Sequence, residues 1–300
     1  MLEFHKVTAG DGQWARPLLM ESGYRTCEYA FTDIFMWSIL YGACIARHGN
    51  FVTVRSRVGD TCQYLFPGGT GTPAEEKEAV QAILDDAASR GCRPYFYGVP
   101  DMAKEHLEAH FPGMFQFTDQ RDYYDYLYSA QELAELPGKK FQKKRNHVSR
   151  FLRENPDWAF HEILPEDLPA IRAFAETWYN EYDGGEESGI DRERKAVEWV
   201  FDHYSELGLC GGYLTAGGRI VAISYGSAIN AQVFDTQVEK ALHSVNGAYA
   251  MINREMARHY GSTFEYINRE DDTGAEGLRK AKLSYNPAVL ERKWLAELAD

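Results

Sequence analysis

The sequence predicts an α/β (α+β) protein with two domains of the same kind, each a mixed, mostly antiparallel sheet flanked by helices. Three observations predict this fold class. The chain has 300 residues, a length that suits about two domains. Its composition, 44% hydrophobic and 26% charged, is typical of a globular protein with a substantial core. Finally, one order of helices and strands can be assigned twice along the chain, in copies roughly 170 residues apart.

The first half begins with two apolar-periodic segments and three short β-rich runs. The dipeptides Gly49–Asn50 and Gly59–Asp60 separate these runs and favour tight hairpin turns. A helix with Pro73 in its first turn and Gly91 at its end comes next, followed by a strand and another helix. The predicted elements are helices 13–20, 31–40, 73–91 and 101–111, and strands 43–48, 51–57, 62–66 and 94–99.

The second half repeats this order. Its predicted elements are helices 166–182, 191–208, 246–261 and 272–284, and strands 210–216, 219–229, 232–242 and 263–268. Gly217–Gly218 is expected to close the first hairpin. Two helices, a three-stranded meander, a helix, a strand and a helix resemble the GNAT acyltransferase fold. The sequence therefore predicts two tandem GNAT-like domains, residues 1–128 and 129–300, the second opening with a basic linker helix.

The linker region concentrates positive charge in an acidic protein. Lys139–Arg153 contains seven Lys or Arg and no acid, whereas the whole chain has a net charge of −13, so the rest carries −20 (−13 minus 7). A helix beginning after Pro137–Gly138 would place five polar residues on one face and its apolar residues largely elsewhere. That face consists of Lys139, Lys143, Asn146, Arg150 and Arg153. It is either a solvated face with ion pairs or a phosphate-binding surface.

A second informative stretch, Tyr266–Pro287, follows a predicted strand. Asp272 or Thr273 is expected to cap a helix that carries Arg279, Lys280 and Lys282. Gly274 and Gly277 permit close approach of the backbone, and Asn268 precedes the cap. The stretch is either an ordinary capped helix or part of an anion-binding site.

Three segments carry a resemblance to a known family: GKKFQKKRNHVSRF, VEKALHSVNGAYAMIN and NREDDTGAEGLRKAKLSYNP. Together they resemble a bacterial family of uncharacterised proteins related to the catalytic domain of phosphatidylglycerol lysyltransferases, and more distantly to Fem-type aminoacyltransferases. This resemblance implies a tandem GNAT fold. It also implies transfer of an aminoacyl group from aminoacyl-tRNA to a hydroxyl or amine on a small molecule, peptide or lipid headgroup.

The resemblance also implies roles for individual residues. Lys282 matches a cation near the activated ester, whereas the Asp–x–x–Arg element of the lipid-modifying relatives is only half present. Asp235 stands there, but Val238 occupies the arginine position, which weakens the case for a lipid acceptor. The basic block would contact tRNA along Lys139–Arg153, through Lys139, Lys140, Lys143, Lys144 and Arg145. Further candidate donor-binding residues are Asn146, Asn246, Gly247, Asn268, Asp272, Gly277, Arg279 and Lys280.

Aminoacyl transfer needs a base, a group that stabilises the oxyanion and a proton for the leaving group. Asp235 or Glu239 could take the proton, although an acid in such a position is more often a surface acid or a salt-bridge partner. Lys282 could stabilise negative charge, or could simply contact a phosphate or an acid. Tyr285 could protonate the leaving group, with a core aromatic as the alternative reading.

The donor could instead be acetyl-CoA or another acyl-CoA. The helix at Asn246–Gly247 begins where GNAT enzymes hold the CoA pyrophosphate, but the usual glycine-rich loop is reduced here to one glycine, which weakens this alternative. The first half offers Pro67–Pro73 (PGGTGTP), which is interpreted as a plain turn. A second alternative is a non-catalytic RNA-binding or regulatory protein.

Other features of the sequence argue against a disulfide-bonded, metal-binding or membrane-spanning protein. The five cysteines form no CxxC pair and predict reduced thiols, and the spacing of Cys and His suggests no metal site. No tightly bound cofactor is expected. The most apolar stretch, Tyr29–Ala46, is interrupted by Thr32, Asp33, Ser38 and Gly42 and predicts a buried helix and strand rather than a membrane span. A cytoplasmic protein is expected, either free or peripheral at the membrane.

Overall fold

The computed structural model describes residues 2–58, 61–181 and 189–299. Its helices, in chain order, are α1 Gly12–Glu21, α2 Phe31–Tyr41, α3 Pro73–Ser89, α4 Asp101–His110, α5 Ala130–Glu135, α6 Gln142–Glu154, α7 Leu168–Glu181, α8 Gly189–Asp202, α9 Tyr204–Leu207, α10 Ala248–His259 and α11 Glu276–Leu283. Its strands are β1 His5–Lys6, β2 Cys44–His48, β3 Phe51–Val58, β4 Thr61–Leu65, β5 Gly68–Gly69, β6 Pro94–Pro100, β7 Phe115–Asp119, β8 Asp125–Ser129, β9 Ala159–Glu162, β10 Cys210–Ala216, β11 Arg219–Ala228, β12 Val233–Ala241, β13 Tyr266–Asn268, β14 Val289–Glu291 and β15 Lys293–Leu298.

The predicted fold class is confirmed, because each helix and strand predicted from the sequence is present with ends shifted by a few residues. The helix predicted at 191–208 is divided into α8 and α9, and ends at Gly208 in the left-handed conformation. Gly217 and Gly218, both with positive φ, close the β10–β11 hairpin as predicted. The hairpin dipeptide predicted at 59–60 and the helix end predicted at 182 lie outside the described residues.

Two sheets form the framework of the protein. The first has the order β1-β2-β3-β4-β6-β15-β7, with β5 beside β3, and the second has the order β14-β8-β13-β12-β11-β10-β9. Strand β8 therefore joins the second sheet although it starts before residue 129, and β15 returns from the C-terminus to the first sheet. The sheets exchange strands across the predicted division between residues 128 and 129, and that division stays a prediction.

The two halves pack directly against each other through α2. Its Phe35 ring stacks on Trp199 of α8, with centroids 5.3 Å apart and planes 11° from parallel. Thr32 of α2 is hydrogen-bonded to Ser227 of β11 and accepts a hydrogen bond of 2.7 Å from Gln237 Nε2 of β12. The polar faces of α2 and β12 thus meet in the centre of the molecule.

Strands β12 and β13 of the second sheet diverge and leave a gap between them. They are parallel neighbours only from Val233–Asp235 against Tyr266–Asn268, and beyond these residues they separate. On the other side of β12, the register against β11 shifts at Gly226, where an added Cβ would lie 1.8 Å from the Asp235 carbonyl oxygen. Only glycine permits this approach, which fixes Asp235 at the point where β12 and β13 diverge.

Among residues 2–58, 61–181 and 189–299, each helix is either too short or too polar to cross a lipid bilayer.

Candidate active site

Asp235 is the most unusual of the predicted catalytic residues. Its side chain is completely buried at the end of the β12–β13 pairing, and neither carboxylate oxygen has a hydrogen-bond partner among the described residues. Burial, and then the nearby charge of Asp33, raise the pKa of Asp235 well above its ordinary value. A buried and unpaired carboxylate is costly for folding, so its presence points to a functional group with high proton affinity.

Two more acids accompany Asp235 at the interface of the halves. Asp33 comes from α2 and has one unpartnered oxygen, Oδ1, while Glu270 follows β13. The pKa of each is raised well above its ordinary value, first by burial, and then by Glu28 for Asp33 and by Asp235 for Glu270. Three carboxyl groups from three elements therefore share one poorly solvated region.

One buried ammonium group holds part of this acidic region together. Lys293, at the start of β15, is fully buried and lies 2.7 Å from Asp125 Oδ1 and 2.8 Å from Glu28 Oε1. Burial alone would lower the pKa of Lys293, but Asp125, Cys27 and Glu28 outweigh it and raise that pKa well above its ordinary value. The other oxygen of Asp125 accepts hydrogen bonds from the Cys27 amide and Asn268 Nδ2, both at 2.8 Å. Predicted donor-binding residue Asn268 is thus a buried structural partner of Asp125.

A cavity of about 700 Å³ opens beside these groups. It lies between the halves, since its lining includes Asp33 of α2, Lys293 of β15, Glu270 after β13 and Arg192 of α8. The lining includes four acidic and six aromatic residues. This volume lies within the range of small-molecule sites in proteins.

Glu239, the other predicted base, lies in the gap between β12 and β13 and is already paired. Its Oε1 is 2.7 Å from Arg269 Nη2 and its Oε2 accepts a 3.1 Å hydrogen bond from Asn253. Arg269 also lies near the rings of Tyr128 and Tyr285, at 5.6 and 4.7 Å from their centroids. Glu239 therefore positions Arg269, whereas the oxygens of Asp235 have no hydrogen-bond partner among the described residues.

The predicted Lys282 and Tyr285 lie beside this arginine. Lys282 Nζ donates a hydrogen bond to the Arg269 carbonyl, and burial followed by the charge of Arg269 lowers the pKa of Lys282. Tyr285 is buried, with its ring packed on Tyr128, and its pKa is raised by burial. Burial and then the charges of Asp235 and Asp33 raise the pKa of Glu270, whereas the charge of Lys282 lowers it, so this glutamate interacts electrostatically with both the predicted base and the predicted cation.

The basic block forms the predicted amphipathic helix, with a 3-10 turn at 139–141 leading into α6. The predicted polar face, Lys139, Lys143, Asn146, Arg150 and Arg153, is exposed, while Phe141, Val148 and Phe151 are buried. Several cations on the helix already have partners: Lys140 pairs with Glu132 at 2.7 Å, Arg150 pairs with Glu154 at 2.8 Å, and Arg145 donates to the carbonyls of Leu136 and Gly138. Asn146 accepts a hydrogen bond from Gln142.

Lys144 points away from the exposed face. Its Nζ donates to Ser284 Oγ at 2.7 Å and lies 3.4 Å from the centroid of the Tyr285 ring. Burial, then the charge of Arg269, lowers the pKa of Lys144 to about 8. The basic helix and the segment after α11 therefore meet, with Lys144 at the contact.

The start of α10 is covered by α6. A Cβ added to Gly247, which has a φ of 80°, would lie 2.2 Å from the His147 carbonyl oxygen. Next to it, Asn246 Nδ2 donates to Glu154 Oε2 at 3.1 Å. A carboxylate and a packed helix thus occupy the surroundings of the helix end where a CoA pyrophosphate would be expected. In the first half, Glu75 similarly accepts from Thr72 at the start of α3, so Pro67–Pro73 leads into an ordinary capped helix.

The stretch Tyr266–Pro287 contains both buried and exposed residues among those predicted to bind the donor. Asp272 is fully buried and accepts hydrogen bonds from Tyr126 at 2.5 Å, Arg279 at 2.7 and 2.9 Å and the Gly274 amide at 3.0 Å. Burial alone would raise the pKa of Asp272, but these donors outweigh it and lower the pKa to about 2. Gly277 and Lys280 are exposed on α11. Helix α11 starts four residues later than predicted, because the Asp272 side chain closes a turn first.

Several central residues were not predicted from the sequence. Lys293, Arg269 and Glu270 lie at ends of strands whose neighbours in the sheet are distant in sequence. Asp33 did carry a signal, because it is an acid within the most apolar stretch of the chain. A carboxylate in such a run is expected to be buried and therefore to be of functional interest.

One group of potential metal ligands occurs among the described residues: Cys27, Glu28 and Asp125. Lys293 Nζ lies within 3.4 Å of the Cys27 sulfur and in contact with both carboxylates. The ammonium group therefore takes the place that a bound cation would need.

The chain resembles several solved structures. A conserved protein of unknown function from Bacteroides thetaiotaomicron is 36% identical, with a TM-score of 0.95 and full coverage of both chains. The L-PGS structure from Bacillus licheniformis has 16% identity and a TM-score of 0.67, covering 96% of this chain and 91% of that one. FemX has 10% identity and a TM-score of 0.59, covering 98% and 96%. The last two similarities show a shared fold.

Sequence comparisons agree with the structural ones. An uncharacterised protein from Mycoplasmoides gallisepticum is 25% identical over 177 residues, 58% of this chain, and the match spans only about half (56%) of that relative. The family described as phosphatidylglycerol lysyltransferase, C-terminal, matches residues 21–297. The predicted resemblance is confirmed, the architecture is that of tandem GNAT-like domains, and this chain belongs to the phosphatidylglycerol lysyltransferase C-terminal family.

Proposed function

We propose that this protein is an aminoacyltransferase that takes its aminoacyl group from aminoacyl-tRNA and passes it to an acceptor in the cavity between the halves. The observation that carries the proposal is Asp235, a buried carboxylate with no hydrogen-bond partner among the described residues, whose pKa is raised by burial and then by Asp33, an acid in the lining of a cavity of suitable volume. The family is related to lysyltransferases and to FemX, which favours a transferase of this kind.

The proposed chemistry begins with an acceptor amine in its protonated form. Asp235 takes one proton, and the free amine nitrogen attacks the ester carbonyl carbon to form a tetrahedral intermediate. Lys282 stabilises the negative oxygen of this intermediate. The bond from the carbonyl carbon to the ribose oxygen then breaks. The second amine proton passes to the departing ribose oxygen through Tyr285, and Asp235 releases its proton to solvent.

The exposed side of α6 is the proposed contact with tRNA. Lys139 and Lys143 are exposed, and neither forms an ion pair within the described part of the chain. Lys144 and Arg145 are turned to protein groups, so we assign the phosphate contacts to Lys139 and Lys143, with Arg150 and Arg153 at the far end of the helix. Gly247, in contrast, packs against the His147 carbonyl of α6, and Asn246, although exposed, donates a hydrogen bond to Glu154 of the same helix. This coverage disfavours acyl-CoA as donor.

The proposal is tested by incubating the protein with a mixture of labelled aminoacyl-tRNAs and cell extract, and following which label leaves tRNA and where it appears. We expect one or a few aminoacyl esters to be consumed and a labelled amide or ester product to form. Asp85→Asn, a change at an exposed aspartate on α3, serves as the matched control for Asp235→Asn.

Two outcomes would contradict the proposal. Consumption of no charged tRNA, with an active relative as positive control, would remove the transferase assignment and favour an RNA-binding protein if tRNA still binds. Micromolar binding of CoA by calorimetry, lost in a variant at the start of α10, would favour the acyl-CoA alternative instead.

A further inference from the structure

The cavity between the halves has more acidic than basic groups in its lining. Four acids, Glu28, Asp33, Glu270 and Asp271, face two basic residues, Arg192 and Lys293. Lys293 is already committed to Glu28 and Asp125, at 2.8 and 2.7 Å. Within the described part of the chain, neither Asp33 nor Glu270 forms an ion pair as short as those of Lys293.

Two carboxylate oxygens at the cavity have unsatisfied hydrogen-bonding capacity. Asp33 is only 7% exposed and its Oδ1 has no hydrogen-bond partner, and Glu28 Oε2 is likewise buried and unpartnered. Buried acceptors of this kind cost about 1–3 kcal/mol each when no donor is present. A ligand that brings hydrogen-bond donors and positive charge would satisfy them.

Aromatic rings complete the cavity. Trp37 and Tyr41 of α2 contribute rings 6.1 Å apart, and Tyr95 and Tyr97 of β6 contribute two more. Aromatic faces attract cations and also pack on the carbons next to a charged group. Acids and aromatic rings together are the usual surroundings of an alkylammonium group, whereas an anionic headgroup would meet like charge here.

We propose that this cavity binds an organic cation with a primary ammonium group on an apolar carbon chain, and that this cation is the acceptor substrate. The second half of the statement rests on the proposed aminoacyltransferase function. The ammonium group lies against Asp33 and Glu270, and the carbon chain lies along Trp37. The same chemistry could also be supplied by the amino group of the donor, and the experiment separates these two sources.

The binding test uses 1,5-diaminopentane as the probe, with the full chain, by calorimetry. Its neutral isostere 1,5-pentanediol and the anion glycerol 3-phosphate are the comparison ligands. We expect saturable binding of the diamine, at least tenfold weaker binding of both comparison ligands, and an affinity at least tenfold lower in Asp33→Asn. Asp85→Asn should bind as the unmodified chain does. If Asp33→Asn does not fold, Glu270→Gln replaces it.

Equal affinity for pentanediol, a preference for glycerol 3-phosphate, absence of saturable diamine binding or an unchanged affinity in Asp33→Asn would each overturn the proposal. The transfer reaction decides whether the cation bound in the cavity is the acceptor or the amino group of the donor. Appearance of the aminoacyl label on the diamine, detected by mass spectrometry, supports its role as acceptor. Inhibition that is competitive with aminoacyl-tRNA, without a diamine product, would overturn that role. Asp33-dependent binding without consumption of any tRNA would preserve the cation site and reject the transferase function.

Discussion

Replacement of Lys293 by methionine tests how the two sheets are held together. This buried ammonium group joins β15 of the first sheet to Asp125 of β8 in the second, and to Glu28 near the start of the chain. Removal of one partner from a buried ion pair leaves an uncompensated charge and typically costs about 3–5 kcal/mol. We therefore expect Lys293→Met to lower the free energy of unfolding by about 3–5 kcal/mol, and Tm by about 6–10 °C, at roughly 2 °C per kcal/mol.

The assay is urea unfolding at neutral pH, with Lys143→Met as the control at an exposed lysine. The control should change the free energy of unfolding by less than about 0.5 kcal/mol. A second change, Asp125→Asn, should restore at least about 1 kcal/mol in the Lys293→Met background, because it removes the uncompensated carboxylate. A loss below about 1 kcal/mol in Lys293→Met, or no recovery in the double variant, would refute the reasoning.

Further predictions concern the basic helix, the start of α10 and acid stability. The double variant Lys139→Ser with Lys143→Ser should reduce the slope of log affinity for tRNA against log salt concentration by about 1.4–1.8, because two phosphate contacts are lost. Lys6→Ser with Lys77→Ser is the control, and a slope equal to that of the unmodified chain in the Lys139/Lys143 variant would contradict the proposed contact. Gly247→Ala should destabilise the chain in thermal unfolding, because its methyl group would meet the His147 carbonyl, and an unchanged Tm would show that α6 does not pack there. The pKa of Asp272 is about 2 in the folded chain, below its ordinary value of 3.8. The ionised carboxylate therefore stabilises the folded chain by about 2 kcal/mol above about pH 4, and this contribution is lost as the pH falls toward 2. Urea unfolding between pH 2 and 5 should therefore show a steeper acid loss in the unmodified chain than in Asp272→Asn, and parallel curves would contradict it.

Local signals in the sequence were sufficient for the helices and the hairpin. The apolar residues of α6 recur at helical spacing, so its buried and exposed faces follow from the sequence alone. Gly217–Gly218 predicts a turn because two successive residues need positive φ. These features depend only on residues close together along the chain, because helical periodicity and turn conformation are set by neighbouring residues.

The exchange of strands between the sheets could not be predicted in this way. Strand β15 has only six residues and pairs with β6, about two hundred positions earlier, so no local pattern identifies its partners. The same exchange carries Lys293 into the interior, where an unpaired lysine is rarely found. Lys144 illustrates a related limit, because the sequence places it in a basic block whereas the structure turns it toward Ser284 and Tyr285.

The candidate site was predicted in part. Asp235 and Lys282 came from the resemblance and Tyr285 from the need for a proton on the leaving group, and the structure places Lys282 and Tyr285 around Arg269. Their catalytic roles stay predictions. The acidic character of the cavity was not foreseen, because its carboxylates come from α2, from the turn before it and from the loop after β13, and only the packing of both halves brings them together.

The most direct test of the central claim is the single-turnover rate of ester loss from labelled aminoacyl-tRNA, in the presence of acceptor, for Asp235→Asn. General base catalysis contributes about 10²–10⁴-fold to such reactions, so we expect the rate to fall by at least about a hundredfold. The affinity for tRNA should stay unchanged, and Asp85→Asn should react at the normal rate. An Asp235→Asn variant that transfers the aminoacyl group as fast as the unmodified protein would contradict the account.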